Sequence, residues 1–353
     1  MAEDKLKVLF VKSADSSFIV NDINLLKKYY SVKIVNCILQ RNHVFETFVS
    51  LVKLFFGILW ADVNYSWFAD YHAYVAVRLS RICGKKSLVV IGGYEVANVP
   101  DFKYGMMRNE KTARRVRFII KNATQVLAVS KFSLEEVLQC TNTGKVDLLY
   151  NGVDGGLFKP NGQKEKLVIT VAYIDQSRII TKGLDTFIGI AKNLPDTSFL
   201  IIGDCSDHSV NDLKAAAPDN LKIISVSSKD ELIRYYQKAK VYCQLSFRES
   251  FGVSLAESML CECVPVATNA AALPEIVGDT GYYVDYGNVT RATEMVARAI
   301  QSDKGKAARA RVMNLFSVDQ REKILIGKID QLVNSSAPVE KNITSGFWRD
   351  NGR

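Results

Sequence analysis

Histidine is scarce in this 353-residue chain: there are three, and no clustered His/Cys set stands at zinc spacing, so a structural metal site has little to be built from. The seven cysteines are odd in number and include no Cys-x-x-Cys pair, and Cys261-Glu-Cys263 is too short and isolated to count. Cys37, Cys83, Cys205 and Cys243 lie in or beside apolar runs, where a thiol packs as a small hydrophobe, and the set reads as reduced and cytoplasmic. No combination of basic end, apolar stretch and small-residue cleavage site opens the chain, because Lys5 and Lys7 run straight into Val8-Leu9-Phe10-Val11; secretion is not expected. The longest apolar stretch, residues 44–60, is interrupted by Glu46 and Lys53 and is short for a bilayer span, so it reads as a core or interfacial helix. Gly-x-Gly-x-x-Gly after a first strand is missing, which weakens a dinucleotide oxidoreductase. Zinc-finger, RNA-binding aromatic and helix-turn-helix patterns are missing too, so no nucleic-acid partner is expected.

What is present is 48% apolar sequence, enough to bury two cores. Strand-like runs alternate with helix-like ones: 7–12 then 19–30, 32–37 then 44–60, 62–67 then 71–83, 87–92 then a basic stretch, 125–129 then 133–140, and 147–150 to close. That is the pattern of a parallel, doubly wound sheet. A turn-rich connector, Asn151-Gly-Val-Asp-Gly-Gly156 through Lys159-Pro-Asn-Gly162, breaks the rhythm. Strand-like runs resume at 167–172, 198–203, 222–226, 241–245 and 264–268. The expected fold class is α/β with two Rossmann-like doubly wound domains, 1–160 and 161–317, then a C-terminal helix over 318–335 and a frayed polar tail over 336–353.

Net charge is +9 and unevenly placed: residues 1–160 hold 22 Lys and Arg against 14 Asp and Glu, giving +8, while the rest holds 24 against 23, giving +1. The densest stretch runs from Lys103 to Lys121 and includes Arg108, Lys111, Arg114, Arg115 and Arg117, with Met106, Ala113, Val116 and Ile120 at helical spacing. It reads as one basic amphipathic helix. A solvated face and a peripheral contact with an anionic acceptor or membrane surface are weighed about evenly for it.

The segment Arg248-Glu-Ser-Phe-Gly-Val-Ser-Leu-Ala-Glu-Ser-Met259 places two glutamates around a glycine, between a strand-like run at 241–245 and a helix-like run ending near Cys261. Backbone N–H groups at such a strand-to-helix turn bind anions. On a helix beginning near Phe251, Glu257 lies under two turns in while Glu249 stays on the loop, so one carboxylate can take hydroxyls beside the anion and the other can reach further out. Two solvated helix-start glutamates favoured by the dipole are the plain alternative.

On these residues the chain resembles the retaining glycosyltransferases of family 4, whose GT-B fold sets two Rossmann-like domains facing a central cleft. Val129-Ser130-Lys131, Asn151-Gly-Val-Asp154 with Phe158-Lys-Pro160, Lys182-Gly183 and Glu249-Ser-Phe-Gly252 through Glu257 fall in family order over residues 126–285. The resemblance implies that Glu249 holds donor-sugar hydroxyls, that Glu257 holds the ribose, and that the backbone of Phe251, Gly252 and Val253 lies against the diphosphate. It also implies a lysine and an arginine on the leaving group. Lys182 matches the lysine; Arg178 is the nearest arginine, the family's Gly-Arg after the strand being replaced by Ala172-Tyr173. Two further departures lie in the N-terminal half. Lys12-Ser-Ala-Asp-Ser-Ser17 stands where a glycine-rich turn is common, and Gly92-Gly93-Tyr94-Glu95 stands where His-Gly-x-Asp is common. Glu95 and His72 remain as acceptor-side candidates, His72 also fitting a packing role at a helix start.

The implied chemistry is metal-independent transfer of a hexose to a glycan or lipid-linked acceptor, with cations and a helix N-terminus stabilising the departing nucleoside diphosphate and no cofactor. Same-face attack, with leaving-group phosphate oxygen as base, is favoured over a covalent carboxylate intermediate. The donor lean is to GDP-mannose over UDP-sugars, because Val241-Tyr-Cys243 with Glu249-Ser-Phe-Gly looks like the corresponding stretch of phosphatidylinositol mannosyltransferases. A non-catalytic sugar-nucleotide binder of the same fold is the alternative.

Overall fold

A computed structural model describes residues 5–37, 44–205 and 207–334. The frayed tail expected over 336–353 lies outside the described residues. Strands β1 (Lys7–Lys12), β2 (Ser31–Asn36), β3 (Val63–Trp67), β4 (Lys86–Ile91), β5 (Gln125–Ala128) and β6 (Val146–Leu148) form one six-stranded parallel sheet in the order β2-β1-β3-β4-β5-β6. Strands β7 (Glu165–Val171), β8 (Ser198–Ile202), β9 (Leu221–Ile224), β10 (Ala239–Gln244), β11 (Val264–Thr268) and β12 (Tyr282–Val284) form a second, in the order β12-β11-β10-β7-β8-β9. Helices cover the crossovers, so central strands such as β3 and β11 are buried along their whole length. Sheets packed on both faces need near-continuous apolar strands, which is why the strand-like runs were readable.

By contact density the chain divides into two compact units: the described parts of Met1–Val90, Arg114–Val126 and Ile326–Arg353, and those of Ile91–Ala113 and Leu127–Leu325. In the first, β3 carries polar handles on aromatic rings, and the buried Asp22 carboxylate accepts from Tyr65 Oη at 2.6 Å and Trp67 Nε1 at 2.7 Å. Tyr30 Oη donates to Asp330 at 2.8 Å, tying the C-terminal helix Val318–Asn334 to that unit.

One expected element is corrected. The basic stretch is not a single helix from 103 to 121: the helix is Glu110–Asn122, with Asn109 Oδ1 accepting the N–H groups of Lys111 and Thr112 at its start. Lys103 has φ +49°, and Gly105 has φ +102° with Ala97 O only 2.0 Å from where a Cβ would sit. That turn breaks helical continuity and leaves Lys103 and Arg108 off the helix. Strand β12, three residues long, is not among the strand-like runs expected from the sequence.

Candidate functional site

Read outward from β7, the second sheet runs β7-β8-β9 one way and β7-β10-β11-β12 the other, so the direction of strand order reverses between β7 and β10. Ligands in such sheets bind beyond the carboxyl ends of the strands at that reversal. Two loops leave from there. After β7 come the short helix Gln176–Thr181, Lys182 and Gly183; after β10 come residues 245–251, then Gly252 and the helix Val253–Leu260. Gly183 has φ +65°, and a Cβ there would sit 2.3 Å from Leu245 O, so the two loops touch backbone to backbone. Phe247 N also donates to Thr181 O at 3.1 Å.

That close approach brings Lys182 onto Glu249, with Nζ 2.5 Å from Oε1. The same oxygen accepts from Ser246 Oγ at 2.8 Å and Gln244 Nε2 at 3.0 Å, and Tyr242 Oη in turn donates to Gln244 at 3.2 Å. One oxygen of Glu249 is therefore fixed by three donors. Its Oε2 has no hydrogen-bond partner among the described residues and can accept from a ligand hydroxyl. Gln244 and Ser246 were not singled out from sequence, although their spacing of five and three residues from Glu249 puts them on the same strand end.

Gly252 caps the following helix with φ +92°, a conformation that favours glycine, and Val253 is the first helical residue. Phe251 is buried against Phe316 and Tyr150, at centroid distances of 5.5 and 6.2 Å, so its side chain anchors the loop whose backbone faces the strand ends. Glu257 is the fifth helical residue and buried. Tyr236 Oη donates to its Oε2 at 3.4 Å. Burial pushes the Glu257 carboxyl up to about 7, with the Lys229 charge and the Tyr236 hydrogen bond opposing the rise.

A cavity of about 540 Å³ opens at these loops, lined by Arg178, Lys182 and Glu249 together with Lys103, Arg248 and Asp175 and by Tyr94, Phe102, Tyr104 and Phe247. Its charged lining holds four cations and two carboxylates, a balance that suits a polyanion. Arg178 is half-exposed, stacks over Tyr173 at 4.8 Å and is tied to Asp175 Oδ2 at 2.8 Å. Arg248, unremarked in the sequence, is buried, ion-paired with Glu136 and stacked on Phe132 at 4.6 Å. Glu95 is buried and accepts from the N–H groups of Gly92 at 3.1 Å and Gly93 at 2.8 Å, closing its own loop. Gly93 presses that loop onto the site: a Cβ would fall 1.9 Å from Ser250 Oγ. His72 belongs to the other compact unit, where it is buried with Nε2 2.7 Å from Trp67 O and burial lowers its pKa.

Other quoted motifs do structural work. Ser130 Oγ caps the helix Lys131–Cys140 by accepting from Ser133 N at 3.0 Å. Val153 bridges Ser317 in parallel, and Arg321 donates to the carbonyls of Leu149 and Tyr150, holding the connector.

The fold is GT-B. Residues 147–312 match the family model described as Glycosyl transferases group 1. Among curated proteins, the chain is 23% identical over 221 residues to N-acetyl-alpha-D-glucosaminyl L-malate synthase of Bacillus anthracis, covering 57% of this chain and 58% of that protein. It is 26% identical over 192 residues to D-inositol 3-phosphate glycosyltransferase of Mycobacterium sp. (strain JLS), covering 47% and 42%. The chain thus spans about half the length of these relatives. Among solved structures, Anabaena Alr3699/HepE in complex with UDP superposes with a TM-score of 0.77 at 15% identity, over 92% of this chain and all of that one, a likeness of fold.

Proposed function

We propose that this protein is a retaining glycosyltransferase of family 4 that moves a hexose from a nucleoside-diphosphate sugar to a glycan or lipid-linked acceptor. The observation that carries the proposal is the Lys182–Glu249 contact at the reversal of strand order, with one carboxylate oxygen held by three donors and the other open. In this reading Glu249 Oε2 takes sugar hydroxyls, and the N–H groups around Gly252 and the Lys182 ammonium meet the diphosphate. Arg178 adds a second cation once it leaves Asp175. As the anomeric C–O bond breaks, charge grows on phosphate oxygen, where fixed cations and a helix N-terminus stabilise it without a metal ion. The acceptor hydroxyl attacks on the same face and gives its proton to that oxygen. Glu257, deeper in, takes the ribose hydroxyls, and Glu95 and His72 are the acceptor-side candidates. The cations between Lys103 and Lys121 are proposed to draw in an anionic acceptor or membrane surface.

GDP-mannose is the favoured donor, and UDP-sugars are the competitor because the HepE relative of fold was solved with UDP. Calorimetric titration with a panel of GDP- and UDP-sugars tests this choice, with tight binding of one base expected. Nucleotide release measured with and without acceptor, and the anomeric configuration of the product by NMR, test transfer and retention. Binding without release under any acceptor would instead make the chain a sugar-nucleotide binder.

A further inference from the structure

The cavity beside Lys182 and Glu249 has an aromatic wall that the charge clamp leaves without a task. Part of it is a small hairpin: Val99 and Tyr104 exchange both backbone hydrogen bonds, at 2.9 and 3.0 Å, and Lys103 N donates to Pro100 O at 2.9 Å to close the turn. Lys103 itself sits at φ +49°, a left-handed conformation uncommon outside glycine and asparagine that persists where the surroundings over-determine it. Here they do. Met106 N donates to Tyr94 O and Met107 N to Ala97 O, each at 3.1 Å, and Arg108 Nη1 donates to Lys103 O at 2.6 Å, so the hairpin is braced from its own base.

Its tip meets the second sheet's loops through rings. Phe102 lies flat on Phe247, with centroids 4.1 Å apart and planes 14° from parallel, and Tyr286 stands edge-on to Phe102 at 5.9 Å. Tyr104 meets Phe247 edge-on at 5.6 Å and Tyr94 edge-on at 4.9 Å. Tyr286 is anchored in turn, its hydroxyl donating to Ile180 O at 2.6 Å. The rings therefore join the hairpin to both loops that carry the charged groups, Phe247 standing two residues before Glu249 and Ile180 two before Lys182. Burial, and after it the Glu249 charge, pushes the Tyr104 phenol up to about 12, so that ring stays neutral in the wall. Although they sit at loop and helix ends, the Lys182 and Glu249 side chains are only 29% and 16% exposed.

We infer that Phe102 selects the nucleophile: its stack on Phe247 holds the hairpin down as a lid that keeps water from the donor until an acceptor hydroxyl takes its place. The inference rests on the transfer reading. Water can make the same attack as an acceptor. Its oxygen bonds to the anomeric carbon, the C–O bond to the diphosphate breaks with its electron pair, and the proton passes to the phosphate oxygen, leaving free hexose and nucleoside diphosphate. Lys182 and Glu249 act on the leaving group and the donor sugar, so they favour both nucleophiles alike, and discrimination against water falls to the walls. A hairpin braced within itself and held at its tip by ring contacts can lift as a unit to admit substrates and settle again over them.

The test needs no acceptor. Nucleotide release from GDP-mannose and from UDP-glucose in water alone is compared between the wild type and Phe102→Ala, with thermal melts to establish that the variant folds. Release should rise by about threefold to tenfold in the variant, the range that losing one aromatic stack allows, while calorimetric binding of bare GDP or UDP changes by less than about twofold. Phe102→Tyr, which keeps a ring on Phe247, should restore most of the suppression. A second measurement uses the wild type only: amide hydrogen exchange across residues 99–104 should slow when the nucleotide sugar binds, because the settled lid is then the favoured state. A folded Phe102→Ala variant whose acceptor-free release is no faster than wild type overturns the inference, and so does exchange in 99–104 that bound donor leaves unchanged. The transfer reading fails separately, by a wild type that binds neither nucleotide sugar or that releases no nucleotide with any acceptor.

Discussion

Glu257→Gln should make the protein more stable at pH 8 and its nucleotide binding weaker. The Glu257 carboxyl is buried, and its pKa rises from an ordinary 4.5 to about 7 chiefly because burial penalises the charge. A folded-state pKa above the unfolded one means the native state holds the extra proton between those values. Stability from this group is then fully present below about pH 4.5 and is lost as pH rises through 7. The 2.5-unit shift corresponds to about 3 kcal/mol at most. A glutamine at this position carries no charge at any pH, so the variant should gain up to that amount over wild type at pH 8 and nothing at pH 4. In a unit of roughly 200 residues the full amount is a rise in Tm of about 6–12 °C.

The measurement is thermal unfolding of both proteins from pH 4 to 9, taken as the difference at each pH. Burial lowers the His72 pKa, and because both proteins carry that histidine its contribution cancels in the difference. Ligand should reverse the ranking. If Glu257 accepts ribose hydroxyls, binding the nucleotide releases its proton near pH 6.5, visible as a buffer-dependent calorimetric enthalpy that the variant lacks. A variant gain equal at pH 4 and pH 8, or no gain at all, would refute the account of a buried, charge-penalised carboxylate.

Glu249→Gln should impair transfer far more than it weakens the bare nucleotide, whereas Glu257→Ala should weaken the nucleotide itself by about 1–3 kcal/mol in titration calorimetry; equal losses of nucleotide affinity would sink that division of roles. Lys182→Ala should slow transfer about 100-fold or more in a nucleotide-release assay, the usual cost of removing one preorganised charge, with wild-type activity surviving EDTA; strict dependence on a divalent metal counts against it. Gly183→Ala should destabilise the chain in thermal melts and lower transfer together, because its Cβ would collide with the Leu245 carbonyl and part the two loops that hold Lys182 on Glu249.

Contributions that a residue makes alone or to near neighbours were legible before the structure. Apolar runs marked the central strands, since β1, β10 and β11 are buried on both faces and need no alternation to be seen. The helix carrying Glu257 was placed to within two residues, because Gly252 supplies the left-handed start that the turn requires. The expected helix over 103–121 was wrong for a local reason: basic and apolar spacing ran through Gly105, and the close approach to Ala97 that bends the chain there leaves no periodic trace.

Long-range pairs were invisible, and they decide what the site can do. Arg248 and Glu136 are 112 positions apart, and a lone arginine before Glu249 gave no sign that it would be buried beside the cavity wall. The pairing has a consequence for charge. Glu136 neutralises Arg248 and Asp175 engages Arg178, while Lys182 is engaged by Glu249, a group that the proposed donor would itself contact. A diphosphate bound as proposed would therefore compete with Glu249 for Lys182 and leave Glu249 Oε1 to Ser246 and Gln244. Nucleotide affinity and sugar positioning should be coupled through that one ion pair, so Glu249→Gln, which removes the competing charge, should leave bare nucleotide binding equal to wild type or tighter. Weaker binding of the bare nucleotide by that variant would mean that Lys182 depends on Glu249 for its position more than it is restrained by it.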